Sequence, residues 1–143
     1  MSGGSARVAG PGDRAAIVAL RTRVFVDEQG VPPEIEQDAT DTVAVHAVAC
    51  DADGCVVATG RLFERDGRGV IGRMAVDAAA RGAGHGAAVL AVLHREARRQ
   101  GLTEVELHAQ VGARGFWERA GYAAVGEEYE EAGIAHVTMR RRL

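Results

Sequence analysis

The sequence predicts a single α/β domain in which helices flank one mixed β-sheet. Three observations carry this prediction. Segments of helical and of strand periodicity alternate along the chain. The 143 residues suffice for one domain with a real core, and no repeat or linker divides them. The composition, 47% hydrophobic and 26% charged, is that of an ordinary globular chain, with no apolar run long enough to span a bilayer.

The elements follow in order. MSGGSARVAG lacks the basic-then-apolar pattern of a signal peptide, and residues 1–6 read as a loose tail on a domain covering 1–143. GDRAAIVALRTRVFVDE (12–28) carries Ile17, Leu20 and Val24 near helical spacing, with Asp13 a suitable N-cap. QGVPPEIEQDATD is polar and proline-containing and reads as an acidic loop. VAVHAVACDADGCVVATGRLF reads as two strands about an Asp53-Gly54 turn. VIGRMAVD (70–77) is a third strand, apolar enough for burial on both faces. From Gly84 to Arg99 the pattern is helical: Ala87, Leu90, Leu93 and Ala97 form one stripe, His94, Arg95, Arg98 and Arg99 lie off it, and Gly101 ends it. TEVELHAQ alternates Val105, Leu107 and Ala109 against Glu104, Glu106, His108 and Gln110. VGARGFWERAG is a short helix. YAAVGEEYEE and IAHVTMRRR are two further strands joined at Ala132-Gly133.

Charge and cysteine content narrow the functions. A net charge of −3 gives no general attraction to nucleic acid or anionic membranes. All 17 basic residues are arginine, which excludes a lysine Schiff base and a P-loop lysine. Cys50 and Cys55 flank DADG, so a disulfide across the hairpin is conceivable; without a secretion signal they read as reduced thiols of a cytoplasmic protein. Without a nearby histidine pair they do not suggest zinc, and no metal is expected. Arg61 and Arg73 fall within strands, where an unpaired charge is expensive. They are expected to face a cleft or to pair with Glu28, Glu34, Glu36, Asp38 and Asp41, acids that could otherwise attract a cationic amine.

The stretch ARGAGHGAAVL places three glycines, Gly82, Gly84 and Gly86, at the opening of the long helix. A helix start exposes unpaired N–H groups and a partial positive charge, and glycine lets an anion approach them. The turn is therefore either a phosphate cradle or simply a flexible connection; composition does not choose. A Walker P-loop needs Gly-Lys-Ser/Thr, which is absent. A dinucleotide fingerprint is formally present as Gly82, Gly84 and Ala87. However, five residues separate it from the strand, and no second βαβ half follows.

The third kind of cradle rests on a resemblance. Arg81-Gly82-Ala83-Gly84-His85-Gly86 resembles the Gln/Arg-x-x-Gly-x-Gly/Ala motif with which the GNAT superfamily of N-acetyltransferases binds the pyrophosphate of coenzyme A. QVGARGFWERAGY is similar to that family's second signature, with Gln110 at the Asn place, Ala113, the aromatic pair Phe116-Trp117, and Gly121-Tyr122. RTRVFVDEQG, EIEQDATD, His46, ATGRL, GRMAV, HAQ and EEYEEAGIAHVTM extend the likeness over about residues 7–143, toward the ElaA/YjcF-like branch.

The resemblance implies a GNAT-like acyl-CoA N-acyltransferase fold, acetyl-CoA as co-substrate, and a small-molecule or peptide amine as acceptor; a homodimer stays open. It implies that backbone groups of Met74, Ala75 and Val76 pair with pantetheine. The N–H groups from Gly82 to Ala87, with Arg81 at the mouth, would hold the pyrophosphate, and Gln110, Phe116 and Arg119 would lie along the pantetheine or adenine side. A strand N–H near Ala75 would stabilise the oxyanion as an amine attacks the thioester. The sequence departs from the family at Trp117, where a tyrosine general acid usually stands. Tyr122, Tyr129, His108 and His136 are replacement candidates, and His46 and His136 fall at matching places in the branch pattern. Two other readings remain: a non-catalytic acyl-CoA-binding domain, and, from EIEQDATD and ATGRL, a signal synthase acylating an amino-acid derivative.

Overall fold

The computed structural model describes residues 5–143. A seven-stranded mixed sheet runs through it in the order β1-β2-β3-β4-β5-β7-β6. The strands are β1 (Ser5–Val8), β2 (Val45–Cys50), β3 (Val56–Arg65), β4 (Arg68–Val76), β5 (Glu104–Gln110), β6 (Ala123–Glu131) and β7 (Ile134–Arg142). The helices are α1 (Arg14–Arg21), α2 (Pro33–Glu36), α3 (His85–Arg99) and α4 (Arg114–Arg119). Every strand pair is antiparallel except β4/β5, which α3 joins as a crossover.

The expected mixed sheet with flanking helices is present, and the differences are local. Ser5 and Ala6, read as loose tail, begin an edge strand in which Ser5 pairs with Cys50 and Ala6 with Ala49; residues 1–4 lie outside the described residues. The helix predicted over 12–28 is α-helical only to Arg21 and continues as wider π-helical turns over Thr22–Glu28. Asp13 does not cap it. Its carboxylate instead takes hydrogen bonds from Arg7 and from the Gly10 amide. The acidic loop contains α2 and a 3₁₀ turn at Ala39–Thr42. Cys50 is buried and Cys55 exposed, both as free thiols. No described helix is long and apolar enough to cross a membrane.

The core has two layers. On one face of the sheet, α3 lays Val89, Leu93 and Ala97 on Ala47, Ala58, Leu62 and Ile71. Full burial of such a side chain stabilises by about 1.5–3 kcal/mol. On the other face, α1 presents Ile17 and Leu20, and the wide turns present Val24, to Val48, Cys50 and Ala75. The α3 stripe is broader than predicted, because His94 and Glu96 are also buried.

One departure from ladder regularity shapes the molecule. Thr59 pairs with Ala75 but Arg61 pairs with Gly72, so Arg73 and Met74 together oppose Gly60. This is a β-bulge, and Arg73 takes the left-handed conformation at φ +52°. Such a bulge bends its strand and increases the local twist. Gly60 has no room for a side chain: a Cβ would run into the Met74 sulfur and stand 3.0 Å from Leu93 and 3.1 Å from Val89.

Candidate active site

The bulge coincides with an opening in the sheet. β4 and β5 pair only at Gly69–Val105, Val70–Glu106 and Ile71–Leu107. Past those residues β4 stays paired with β3 as far as Val76, and β5 stays paired with β7 as far as Gln110. The two strands therefore splay. The backbone polar groups of β4 that point away from β3, between Gly72 and Val76, face a cleft instead of a strand, and unpaired groups of this kind can accept an extended ligand as an extra strand. Ala75 is buried with its side chain against Leu20 and Val24; Met74 and Val76 pack toward the α3 layer.

At the end of β4 the chain enters the glycine turn. Gly82 and Gly84 have φ of +85° and +84°, and a Cβ at either would meet nothing within 4 Å. They thus supply left-handed turns bordered by open space. Gly84 is the N-cap of α3 with no side-chain cap, so its first-turn amides at His85, Gly86 and Ala87 precede the first intrahelical donor, Ala88 N–H, which bonds to the Gly84 carbonyl at 3.0 Å. Gly86 lies 3.5 Å from Val76 and 3.7 Å from Phe116 by its would-be Cβ, so α3, β4 and α4 meet there. Ala87, Phe116 and Arg119 then line a groove of about 410 Å³ between α3 and α4, floored by His94 and Arg141.

Arg81, which the resemblance places at the mouth of the turn, is held by the protein's own groups. Its Nη2 donates to both Glu28 carboxylate oxygens at 2.8 and 2.9 Å, and its Nε donates to the Val76 carbonyl at 3.1 Å. Gln110 stands at the end of β5, where its Nε2 donates to Gln29 Oε1 at 2.7 Å. Glu28 is one of the acids expected to pair with arginines, but its partner is Arg81; Gln29 carries no sequence signal for its role, and both positions follow from where the wide helical turns end.

Three acids of the 33–42 segment, Glu36, Asp38 and Asp41, pair with arginines, whereas Glu34 is exposed. Arg21 donates to Glu36 and Asp41, Arg61 to Asp38 and Asp41, and Arg73 to Asp38 and to the Ile35 and Glu36 carbonyls. Glu36, Arg21 and Arg61 are buried. Burial alone would raise the Asp41 carboxyl, but hydrogen bonds from Arg21 and Arg61 outweigh it and hold that group well below the usual carboxylate range. This lattice straps the acidic segment to the bulge, and His46, opposite Arg61 on β2, joins it through Nε2 and the Asp41 carbonyl at 3.0 Å.

The remaining aromatic and histidine candidates divide between the two faces. Tyr122 is buried in the α3 layer, 2.6 Å from His94 Nε2 through its hydroxyl and packed edge-to-face on Trp117. Burial pushes its phenol up and pushes His94 down to about 4, Arg141 and Arg98 adding to the latter. Tyr122 is thus brought together with Trp117 and His94 rather than with Ala75. His136 is buried on β7 directly opposite Gln110, on the other face, with Tyr129 and Glu131 beside it.

A sheet split beside a strand bulge, leading to an uncapped glycine turn at a helix start, defines the architecture of acyl-CoA-using transferases. The family model for the acetyltransferase (GNAT) domain matches residues 13–143, and the chain belongs to that family. Within it the relatives point to the ElaA/YjcF-like branch. The uncharacterized N-acetyltransferase YjcF of Bacillus subtilis is 36% identical over 123 residues, covering 85% of this chain and 87% of that one. The crystal structure of an acyl-CoA N-acyltransferase from Pseudomonas aeruginosa superposes with a TM-score of 0.83 at 35% identity, over 96% of this chain and 97% of that one. Escherichia coli ElaA superposes with a TM-score of 0.80 at 28% identity, again over 96% and 97%.

Proposed function

We propose that this chain is an acetyl-CoA-dependent N-acetyltransferase that acts on a primary amine. The observation that carries the reading is the splay of β4 from β5 after Ile71 and Leu107, ending at a glycine turn whose helix start has no side-chain cap and whose Gly82 and Gly84 border open space. The residues fit the co-substrate: a backbone edge for the pantetheine amides, a nest of amides for two phosphates, and open space at Gly82 and Gly84 where any Cβ would intrude.

In this reading the thioester supplies an activated acyl group, and the chain's own residues do the rest. The outward groups of Met74 and Val76, on either side of Ala75, align the arm. The amides from Gly82 to Ala87 bind the diphosphate, and Phe116 and Arg119 border the nucleotide end. An outward N–H next to Ala75, on Met74 or Val76, takes the carbonyl oxygen as negative charge builds on it, an effect of about 3 kcal/mol for one such donor; the Ala75 N–H itself is turned toward Thr59 on β3. The Arg81 bonds to Val76 and Glu28 give way or rearrange when the arm occupies the edge of β4.

A second reading is a GNAT-like domain that binds acyl-CoA without turnover. The observation favouring it is that Trp117 stands in the core where the family's tyrosine acid is found, while Tyr122 is committed to His94. Calorimetric titration with CoA, followed by thiol release from acetyl-CoA with a panel of primary amines, separates the readings. Binding with amine-dependent thiol release supports transfer; binding without release supports the second; no binding at millimolar CoA defeats both.

A further inference from the structure

On the face of the sheet opposite α3, β5, β6 and β7 bring together His108, Tyr129, Glu131 and His136, four titratable side chains that the cofactor-side reading leaves unused. We infer that His136 is the general base that deprotonates the acceptor amine, with Glu131 as its positioning residue; this rests on the transfer reading above.

The argument begins with the tautomer. His136 Nδ1 lies 2.7 Å from the Ile134 carbonyl, which can only accept, so Nδ1 carries the proton and Nε2 presents its lone pair. Nε2 has no hydrogen bond and faces the Glu131 carboxylate at 3.7 Å, close enough to stabilise an imidazolium once it forms. The side chain is only 9% exposed, which fixes the ring and keeps bulk water from competing. Its position is also right. β7 adjoins β5, one wall of the split, and His136 is directly opposite Gln110 at the end of that wall. His46, by contrast, lies on β2, two strands and about 10 Å from β4, the other wall of the split, with Nε2 already donating to the Asp41 carbonyl.

The surroundings are built for proton handling. Tyr129 stacks on His136 with centroids 6.1 Å apart, and its hydroxyl is buried near Thr138 without a hydrogen-bond partner. From β5, His108 approaches the same Glu131 carboxylate at 3.5 Å and meets the Tyr129 ring edge-on. Glu130 on β6 pairs with Ala135, next along from His136. Among the described residues these groups form no metal-binding set. Of the three protons of the incoming ammonium, one passes to His136 Nε2, one ends on the departing sulfur and one stays on the amide nitrogen. The C–N bond forms as the C–S bond breaks, and the sulfur leaves with the bonding pair.

The test uses the full chain, acetyl-CoA, and spermidine, phenethylamine and glycine amide as acceptors. Thiol release is followed from about pH 6 to 9, CoA affinity by calorimetry, and ¹⁵N-histidine NMR reads the tautomers. His136→Gln is expected to lower kcat/KM about 10²–10⁴-fold near neutrality, to leave CoA affinity unchanged, and to regain rate as rising pH deprotonates the amine itself. Glu131→Gln, at an exposed carboxylate, is expected to give a smaller loss with the Nδ1–H tautomer retained. Turnover by His136→Gln within about threefold of wild type at every pH, or a proton on Nε2 in the neutral ring, would overturn the inference while leaving acetyl transfer intact. Wild-type protein that fails to bind CoA, or binds it and acetylates none of the amines, defeats the transfer reading and the base role with it.

Discussion

Replacing Asp41 with asparagine is the sharpest test of how the acidic segment is held. The Asp41 carboxylate accepts from Arg21 Nη1 at 2.8 Å, Arg21 Nη2 at 3.2 Å and Arg61 Nη1 at 2.8 Å. Side-chain exposure is 3% for Arg21, 6% for Arg61 and 10% for Asp41. Arg21, Arg61 and Arg73 balance Glu36, Asp38 and Asp41; the variant leaves three cations facing two anions in a place water reaches poorly. Breaking such a pair from one side typically costs about 3–5 kcal/mol. Against a total stability of about 5–15 kcal/mol, that is a large fraction. In urea the midpoint is expected to fall by about 2 M with an unchanged slope. The pH dependence has a definite sign. Asp41 and Asp38 both titrate lower in the folded protein, so their contribution is complete above the ordinary carboxylate range near about 4 and disappears as pH falls through the lowered values. The gap between wild type and D41N should therefore be constant from about pH 7 to 5 and close below about 4. The exposed Arg114–Glu118 pair is the control: Glu118→Gln should barely move the midpoint. A loss below about 1 kcal/mol for D41N would show that the lattice behaves as a screened surface pair and would refute the reasoning.

Four further outcomes are expected. Gly84→Ala forces a Cβ onto a residue at φ +84° facing open space, so the fold should lose about 1–2 kcal/mol while CoA affinity in calorimetry falls more steeply than that strain explains. Gly60→Ala drives a methyl into Met74 and Leu93 behind the bulge, and should lower the urea-derived stability by about 1–3 kcal/mol. Tyr122→Phe strips the hydroxyl from the buried His94 and should cost about 1–3 kcal/mol in urea with turnover per folded molecule retained; a large fall in kcat would reinstate Tyr122 as the acid. His94 also predicts a slope: its folded value, about 4, lies below the unfolded one, so stability should drop as pH falls from about 6.5 toward 4 in wild type and much less in His94→Gln.

The legible parts of the fold were those written in neighbouring residues. The alternation of TEVELHAQ, the Asp53-Gly54 turn and the glycine stop at Gly101 each arise from contacts a few residues apart, and each is present. β1 escaped because its four residues, SARV, are too few to show a period. The wide turns of 22–28 escaped because an apolar spacing of Leu20 and Val24 serves an α-helix equally well. The arginines within strands could be matched to the acids as a class, since a buried charge must find a partner, but not to individual partners.

By itself the sequence determined the mixed sheet, the helix opening on glycines and the acids available to Arg61 and Arg73, because periodicity, turn chemistry and charge are local properties. Only the tertiary structure decided that Arg73 sits at a bulge, that Tyr122 goes to His94 and not to the cleft, and that Gln110 meets Gln29 across 81 residues of chain. Those outcomes depend on how β4 bends away from β5 and on which side chains that bend brings within reach, a geometry set by packing of the whole sheet between its two helical layers and by no short stretch of residues.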